Sequence, residues 1–423
     1  MDQSRAIYQM ASLAEASYSD FPQFVTIYDA LLDVGFAATQ AIGLSGQWKI
    51  AHHQPDMLSG FSATLFESRE QPGNFVIAFR GTAGLMDLSA DIFGIVGDGL
   101  AGRQIVDMYN YWQWLYAPAG SDYQVAVYTA NAPDAVQLQT STQLFGASDE
   151  KAKGLGVTTG IDHIDVAGHS LGGHLAAAFT RLFVDIDAVA YTFNGAGFRN
   201  SAFFPMVDRT FDALAGRPTQ FDPGRIQNFY GTAGPNLVTQ DWDIGLQQVG
   251  GHQAVFTESA DLGTTFGHGS SQMTDSLSVY SLFSALDPEL DFDRMATLLK
   301  GASNEAASSL ENLVRALAHL FDVDIEIATD EREALYRGMQ SLQETRLFQQ
   351  SSGLVEVLPA HDLVDSVFLP SSDGLPFRYA LVHLNPFAVV GDSAIYQQHN
   401  ADGELDLFSP ETGRGALTPE YIQ

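Results

Sequence analysis

The chain has 423 residues, 45% of them hydrophobic and 11% aromatic, which is enough apolar material for a sizeable core and excludes a globally disordered chain. With 51 acidic against 20 basic residues the formal net charge is −31, so nucleic acids and anionic lipids are excluded as partners held by long-range attraction. The absence of cysteine removes disulfides, thiolate metal sites and a cysteine nucleophile together.

Such a charge suits solubility, a salty medium, or calcium as a structural counter-ion. The N-terminus, MDQSRAIYQMASLAEASYSDF, lacks a basic region followed by an apolar core, so no Sec-type signal is expected there. No stretch approaches the roughly 18 to 20 apolar residues of a membrane span. A cytosolic home stays open. The other expectation is secretion by a one-step route that reads a C-terminal signal, which would then lie past Gln423.

In chain order, Ile7, Met10, Leu13, Ala14 and Ala16 fall near helical spacing and predict an amphipathic helix over the first twenty residues. Alternating Phe61, Ala63 and Leu65 predict a strand at 60–67, and the apolar run at 74–80 predicts one buried on both faces. Gly84–Gly102 is glycine-rich yet greasy, and an aromatic run from Tyr109 to Tyr116 follows it. Residues 129–160 are mostly small and polar, as in a surface excursion. IDHIDVAGHSLGGHLAAAFTRLF then reads as strand, turn and helix, with further strands at DAVAYTFNGAG and RIQNFYG. Strands alternating with helices predict an α/β fold whose mostly parallel sheet is covered by helices on both faces, over residues 1–285. Residues 286–423 differ in texture and predict a small α+β appendage. Leu310, Leu313, Val314, Leu317, Leu320 and Phe321 share one helical face there. Asp330 with Glu333 marks a helix start, and FRYALVHL (377–384) alternates like a strand.

Gly168-His169-Ser170-Leu171-Gly172 fits G-x-S-x-G between that strand and its alanine-rich helix. A nucleophile at such a turn sits at a strained backbone position, so its neighbours two before and two after must lack side chains. The pattern makes Ser170 a candidate nucleophile. Acyl transfer also needs two donors for the developing oxyanion, each contributing about 3 kcal/mol to lowering the barrier. The N–H of Leu171 supplies one, and Thr82, at the end of Phe79-Arg80-Gly81-Thr82, supplies the other. A chance match among 39 glycines is the bland alternative, and the attached strand and helix weigh against it.

AFRGT and VAGHSLGG together resemble the class 3 (fungal-type) lipases of the α/β-hydrolase group. QIVDMYNYW, FNGAGF, NFYGTAGP and QMTDSLSVY are similar to lipase-like regions of secreted bacterial calcium-binding (RTX-type) proteins. The likeness covers residues 1 to 285 and extends more loosely to NPFAVVG and HNADGELDLFSP in the tail. It implies hydrolysis of carboxylic esters, lipids among them, through an acyl-enzyme and without a cofactor for the chemistry. It also implies a catalytic histidine in a loop entering a helix, which maps onto His268, with His252 in VGGHQAVF as the alternative; His174 is read as a packing residue. The acid should follow RIQNFYG, where this chain has Asn236 in the matching letters. Asp241, or else Asp243, takes the role.

A lid suited to a lipid substrate would be Gly84–Gly102 or 198–211, each with ordinary core as its alternative. NADGELD (400–406) is oxygen-rich but lacks the full calcium-loop spacing, which leaves a plain turn and no assigned metal ligand. Phospholipase A1 would use the same machinery on a different pocket. A non-catalytic, calcium-dependent adhesion module, with Asn236 as the mark of a decayed site, is the reading from another class. Oligomeric state is not legible.

Overall fold

The computed structural model describes residues 3–21, 26–81, 101–128, 136–233, 246–258, 269–303, 308–328, 331–360, 364–369 and 371–422. Helix α1 (Gln3–Ala16) buries Ile7, Met10, Leu13, Ala14 and Ala16, the stripe its spacing predicts. Two short helices, α2 (Ile27–Asp33) and α3 (Ala38–Gln47), lead into β1 (Trp48–Gln54), β2 (Ala63–Ser68) and β3 (Phe75–Phe79). The aromatic run lies on helix α4 (Gly102–Tyr116). Then come β4 (His163–His169), α5 (Leu171–Leu182), β5 (Asp187–Phe193), α6 (Met206–Ala215), β6 (Ile226–Gly231), β7 (Gly251–Val255) and α7 (Ser270–Leu286).

The seven strands form one sheet in the order β1-β2-β3-β4-β5-β6-β7. The first two pairings are antiparallel, and β3-β4, β4-β5 and β5-β6 are parallel. All five residues of β3 are buried, so the middle of the sheet is covered on both faces, as an apolar run without alternation requires. On one face Ile77, Phe79, Ile164, Val166, Ala188 and Ala190 share a core with α4, α5 and α6. Its centre is aromatic: Trp112 of α4 meets Phe179 of α5 edge-on with ring centroids 4.9 Å apart. This is the expected α/β-hydrolase architecture, a mostly parallel sheet with helices packed on it.

Two findings refine the sequence reading. Within the polar stretch 129–160, Val136–Thr140 pairs antiparallel with the preceding Gln124–Tyr128 and is followed by a one-turn helix at Ser141–Phe145. Of the 198–211 segment, Phe198, Val207 and Phe211 belong to the main core, which favours the core alternative for them over a lid.

The chain divides into two compact units. One comprises residues 9–254 and 262–274; the other comprises 1–8, 255–261 and 275–423, and helix α7 runs across the division. The second unit contains helices Phe292–Ala302, Ser309–Leu320, Arg332–Glu344 and Arg346–Ser351, with an antiparallel ribbon pairing Glu356–Pro359 and Phe387–Val390. The face from Leu310 to Phe321 is buried as expected. Arg332 opens the next helix, next to the expected start, while Asp330 lies outside the described residues. NADGELD is a self-closing turn: the Asn400 side chain accepts from the Leu405 N–H and donates to Asp406 at 3.0 Å.

FRYALVHL is a correction. Leu375–Val382 is a helix with Pro376 in its first turn, where a fixed φ and a missing N–H cost nothing. Its alternation misleads because Arg378, the charged residue of the run, is 1% exposed. The Arg378 guanidinium donates to the carbonyls of Leu405 (2.5 Å), Leu369 (2.7 Å) and Val367 (3.2 Å). Replacing it with Met, which fills the space but donates nothing, strands three carbonyls. Arg378→Met is therefore expected to cost about 2–4 kcal/mol in urea unfolding followed by circular dichroism; a change under about 0.5 kcal/mol would show that the three bonds stabilise nothing.

Candidate active site

Ser170 stands between β4 and α5 with φ 57° and ψ −123°, a left-handed conformation that costs a residue with a β-carbon about 1–3 kcal/mol. The turn is held by hydrogen bonds on both sides of it. The Ser170 N–H donates to the Phe193 carbonyl at 3.0 Å, and its own carbonyl accepts from Gly173 (3.0 Å) and Ala196 (3.1 Å). A β-carbon at Gly168 would strike the Gly172 carbonyl, and one at Gly172 would strike the Phe79 carbonyl. At Gly173 it would stand 2.7 Å from Gly195 Cα. The glycines two before and two after Ser170 are thus required by backbone against backbone, and Ala176–Ala178 are buried behind them.

Register brings the other half of the pattern alongside. Phe79 pairs with Gly168, so Arg80 and Gly81 pass directly beside His169 and Ser170. A β-carbon on Gly81 would lie 2.5 Å from the His169 carbonyl and 3.1 Å from Ser170 Cβ. Leu171 begins α5, where the first N–H groups of a helix lack intrahelical acceptors and face whatever lies above the turn.

Tyr18, which the sequence reading did not single out, completes this corner. Its hydroxyl lies 2.9 Å from His169 Nδ1 and accepts from the Gly81 N–H. Desolvation pushes its pKa up, against the opposing charge of Arg80, and keeps the phenol protonated. The tyrosine therefore ties the end of β3 to the end of β4 from a position distant in the chain.

His174 is the packing residue expected. The ring is 0% exposed and stacks on Phe198 at 3.9 Å between centroids. Nδ1–H donates to the Gly197 carbonyl at 3.0 Å, and Nε2 accepts from the Ala101 N–H at 3.2 Å. Burial lowers its pKa to about 4, so it is neutral. The edge of the sheet beyond it is fixed by amides. Asn194, at φ 47°, accepts from the Gly231 N–H at 2.8 Å. Asn228 accepts from Thr192 at 2.6 Å and donates to the carbonyls of Val249 and Gly251.

The Asn194–Gly231 bond fixes the end of β6, from which the expected acid would come. Gly231 and Ala233 lead toward Asn236, Asp241 and Asp243, while Gly269 and α7 follow His268. Those four residues, Thr82, and the lid candidate Gly84–Gly102 up to residue 100 lie outside the described residues. His252 is described and sits exposed on β7. Among the described residues no group of three or more metal-ligating side chains occurs.

No protein-family model matches the chain. No curated protein matches it either. Among solved structures it is similar to a Rhizomucor miehei lipase–propeptide complex at 13% identity and a TM-score of 0.31, over 60% of this chain and 67% of that one. It is also similar to the Lip2 lipase of Yarrowia lipolytica (16%, 0.33, over 63% and 84%) and to lipase II of Rhizopus niveus (13%, 0.32, over 63% and 83%).

Because the folded His174 titrates near 4 and an unfolded one near 6.5, its contribution to stability is complete above pH 6.5 and declines as the pH falls toward 4. Between pH 7.5 and 5 this amounts to about 2 kcal/mol. Urea unfolding of His174→Gln should therefore show an acid-side decline shallower by about that amount; parallel slopes in variant and parent would mean the ring is not held neutral. At the other anchor, Tyr18→Phe removes the tie between Gly81 and His169 and should lower stability by about 1 kcal/mol in urea unfolding; no change would show that the tie stabilises nothing.

Proposed function

We propose that the protein is a serine hydrolase of carboxylic esters, with lipid esters as the substrate class. The observation that carries this reading is Ser170, held at positive φ on a turn whose glycines allow no β-carbon. A binding module gains nothing from that strain, whereas a nucleophile needs its hydroxyl raised above the sheet edge. This weighs against the adhesion alternative.

In the proposed reaction the Ser170 hydroxyl oxygen attacks the ester carbonyl carbon while His268 takes its proton. The tetrahedral oxyanion accepts from the N–H groups of Leu171 and Thr82. As the carbonyl re-forms, the alcohol leaves with the proton from His268 and the acyl group remains on Ser170. Water, deprotonated by His268, attacks the acyl-enzyme, and collapse releases the acid and returns the proton to Ser170. Asp241 orients His268 and stabilises its charged form, a task that Asn236 would perform poorly. The chemistry calls for no metal.

Secretion belongs to the same proposal, since a −31 surface without cysteine suits an extracellular, salty medium. No helix among the described residues is long and apolar enough to cross a membrane. Contact with a lipid interface would then be transient.

Hydrolysis of p-nitrophenyl butyrate and laurate tests the reading. Ser170→Ala should lower kcat by about 10⁴-fold or more with the fold unchanged by circular dichroism. Asp241→Ala should cost at least tenfold more than Asp243→Ala. A folded parent without turnover, or turnover surviving in Ser170→Ala, would reject the proposal.

A further inference from the structure

A cavity of about 650 Å³ opens in the sheet-bearing unit. It lies between α4, the loop after β1, and the ribbon and one-turn helix that carry Ala126, Val127, Leu144 and Phe145. Met57, Val106, Trp114, Val127, Leu144 and Phe145 give it apolar walls, and neither Tyr18, His169, Ser170 nor Leu171 lines it. Its size and composition are those of a small-molecule site.

The neutral polar groups at its wall are already engaged within the protein. Asn110 donates to the Ala126 carbonyl at 2.8 Å and accepts from the Ala126 N–H at 2.7 Å. The Tyr123 hydroxyl donates to the Lys151 carbonyl at 2.6 Å, the Trp114 indole N–H to the Lys153 carbonyl at 3.0 Å, and the Tyr111 hydroxyl is hydrogen-bonded to His52 Nδ1 at 2.9 Å. Ser59 donates to Asp107 at 2.5 Å, and Asp56 is paired with Arg80.

Lys151 is different. Its ammonium donates to the neutral Gln54 side chain at 3.0 Å and stands 5.4 Å from the Trp114 ring centre, with no ion pair to a described carboxylate. Two of its N–H groups remain for a ligand, and its charge already acts on the Asp107 carboxyl, where it opposes the larger effect of burial. In a chain with 51 acids, a lysine left facing an apolar cavity is a selective feature. Arg103 adds a second positive charge at the lining. Asp107 on the same wall would repel a dianion, so the complementary head is a single negative charge on an apolar body.

We propose that this cavity binds a long-chain aliphatic monocarboxylate, its carboxylate on Lys151 and its chain along Val106, Trp114 and Phe145. None of Tyr18, His169, Ser170 and Leu171 lines this site, and its occupancy is not expected to depend on Ser170.

The test is titration of the full-length protein with sodium octanoate, decanoate and dodecanoate below their micelle concentrations, read by calorimetry and tryptophan fluorescence. Binding should tighten several-fold with each two methylenes, as burial of apolar chain requires. Lys151→Met should weaken dodecanoate at least tenfold, while hydrolysis of p-nitrophenyl butyrate stays at the parent level, so that failure here and failure of the hydrolase reading are distinguishable. Trp114→Phe should remove the fluorescence change but keep the calorimetric Kd within about threefold. Val127→Trp, which fills the cavity while keeping the lysine, should abolish binding, and circular dichroism unchanged from the parent in both variants excludes a folding defect as the cause. Equal affinity for dodecanol, preference for dodecyltrimethylammonium, unchanged affinity in both Lys151→Met and Val127→Trp, or no binding at all would each overturn the proposal.

Discussion

Everything in the sheet-bearing unit is arranged around one constraint, the approach of helix α5 to the ends of three strands. Gly168, Gly172 and Gly173 let its first turn touch the backbones of β3, β4 and the loop after β5 without intervening side chains. Only that closeness allows the Ser170 N–H to reach the Phe193 carbonyl and its carbonyl to receive Gly173 and Ala196. The strained φ of Ser170 is thus over-determined by its surroundings, which is the condition under which strain persists in a folded protein. One methyl group at Gly172 would separate α5 from β3 and release it.

The edge beyond the serine is held by amides. Beside the stacked, buried rings of Phe193 and Phe229, Thr192, Asn194 and Asn228 connect β5, β6 and the approach to β7. Such bonds satisfy backbone groups that would otherwise be stranded, and they fix where each loop departs. Tyr18 performs the corresponding service between β3 and β4.

The sequence made some of this legible and hid the rest for physical reasons. Ser170, its glycines, the buried β3 and the face from Leu310 to Phe321 could be read because each depends on a local period or a local collision. Tyr18 could not, since its partners lie far along the chain and a lone tyrosine has no pattern. The Leu375–Val382 helix was misread because Arg378 is buried against carbonyls contributed by distant loops, so polarity no longer marked the solvent face. The placement of His268, Asp241 and Thr82 still rests on order and resemblance in the sequence.

The distribution of cations carries the last step. Of the 20 lysines and arginines, several arginines act inside the protein instead of on its surface. Arg225 donates to the carbonyls of Ala188 and Ile186, Arg315 to Ile327, and Arg378 to three carbonyls of its unit. Arg181 is 2% exposed, paired with Asp208 at 2.6 Å and stacked over Phe211 and Phe221. Planar, always charged and weakly hydrated, the guanidinium suits these sites better than lysine does. Positive charge used this way offsets little of the surface potential, so the exterior is more uniformly acidic than the composition alone conveys. A surface built so repels an anionic membrane, and a carboxylate would be admitted only beside a cation such as Lys151.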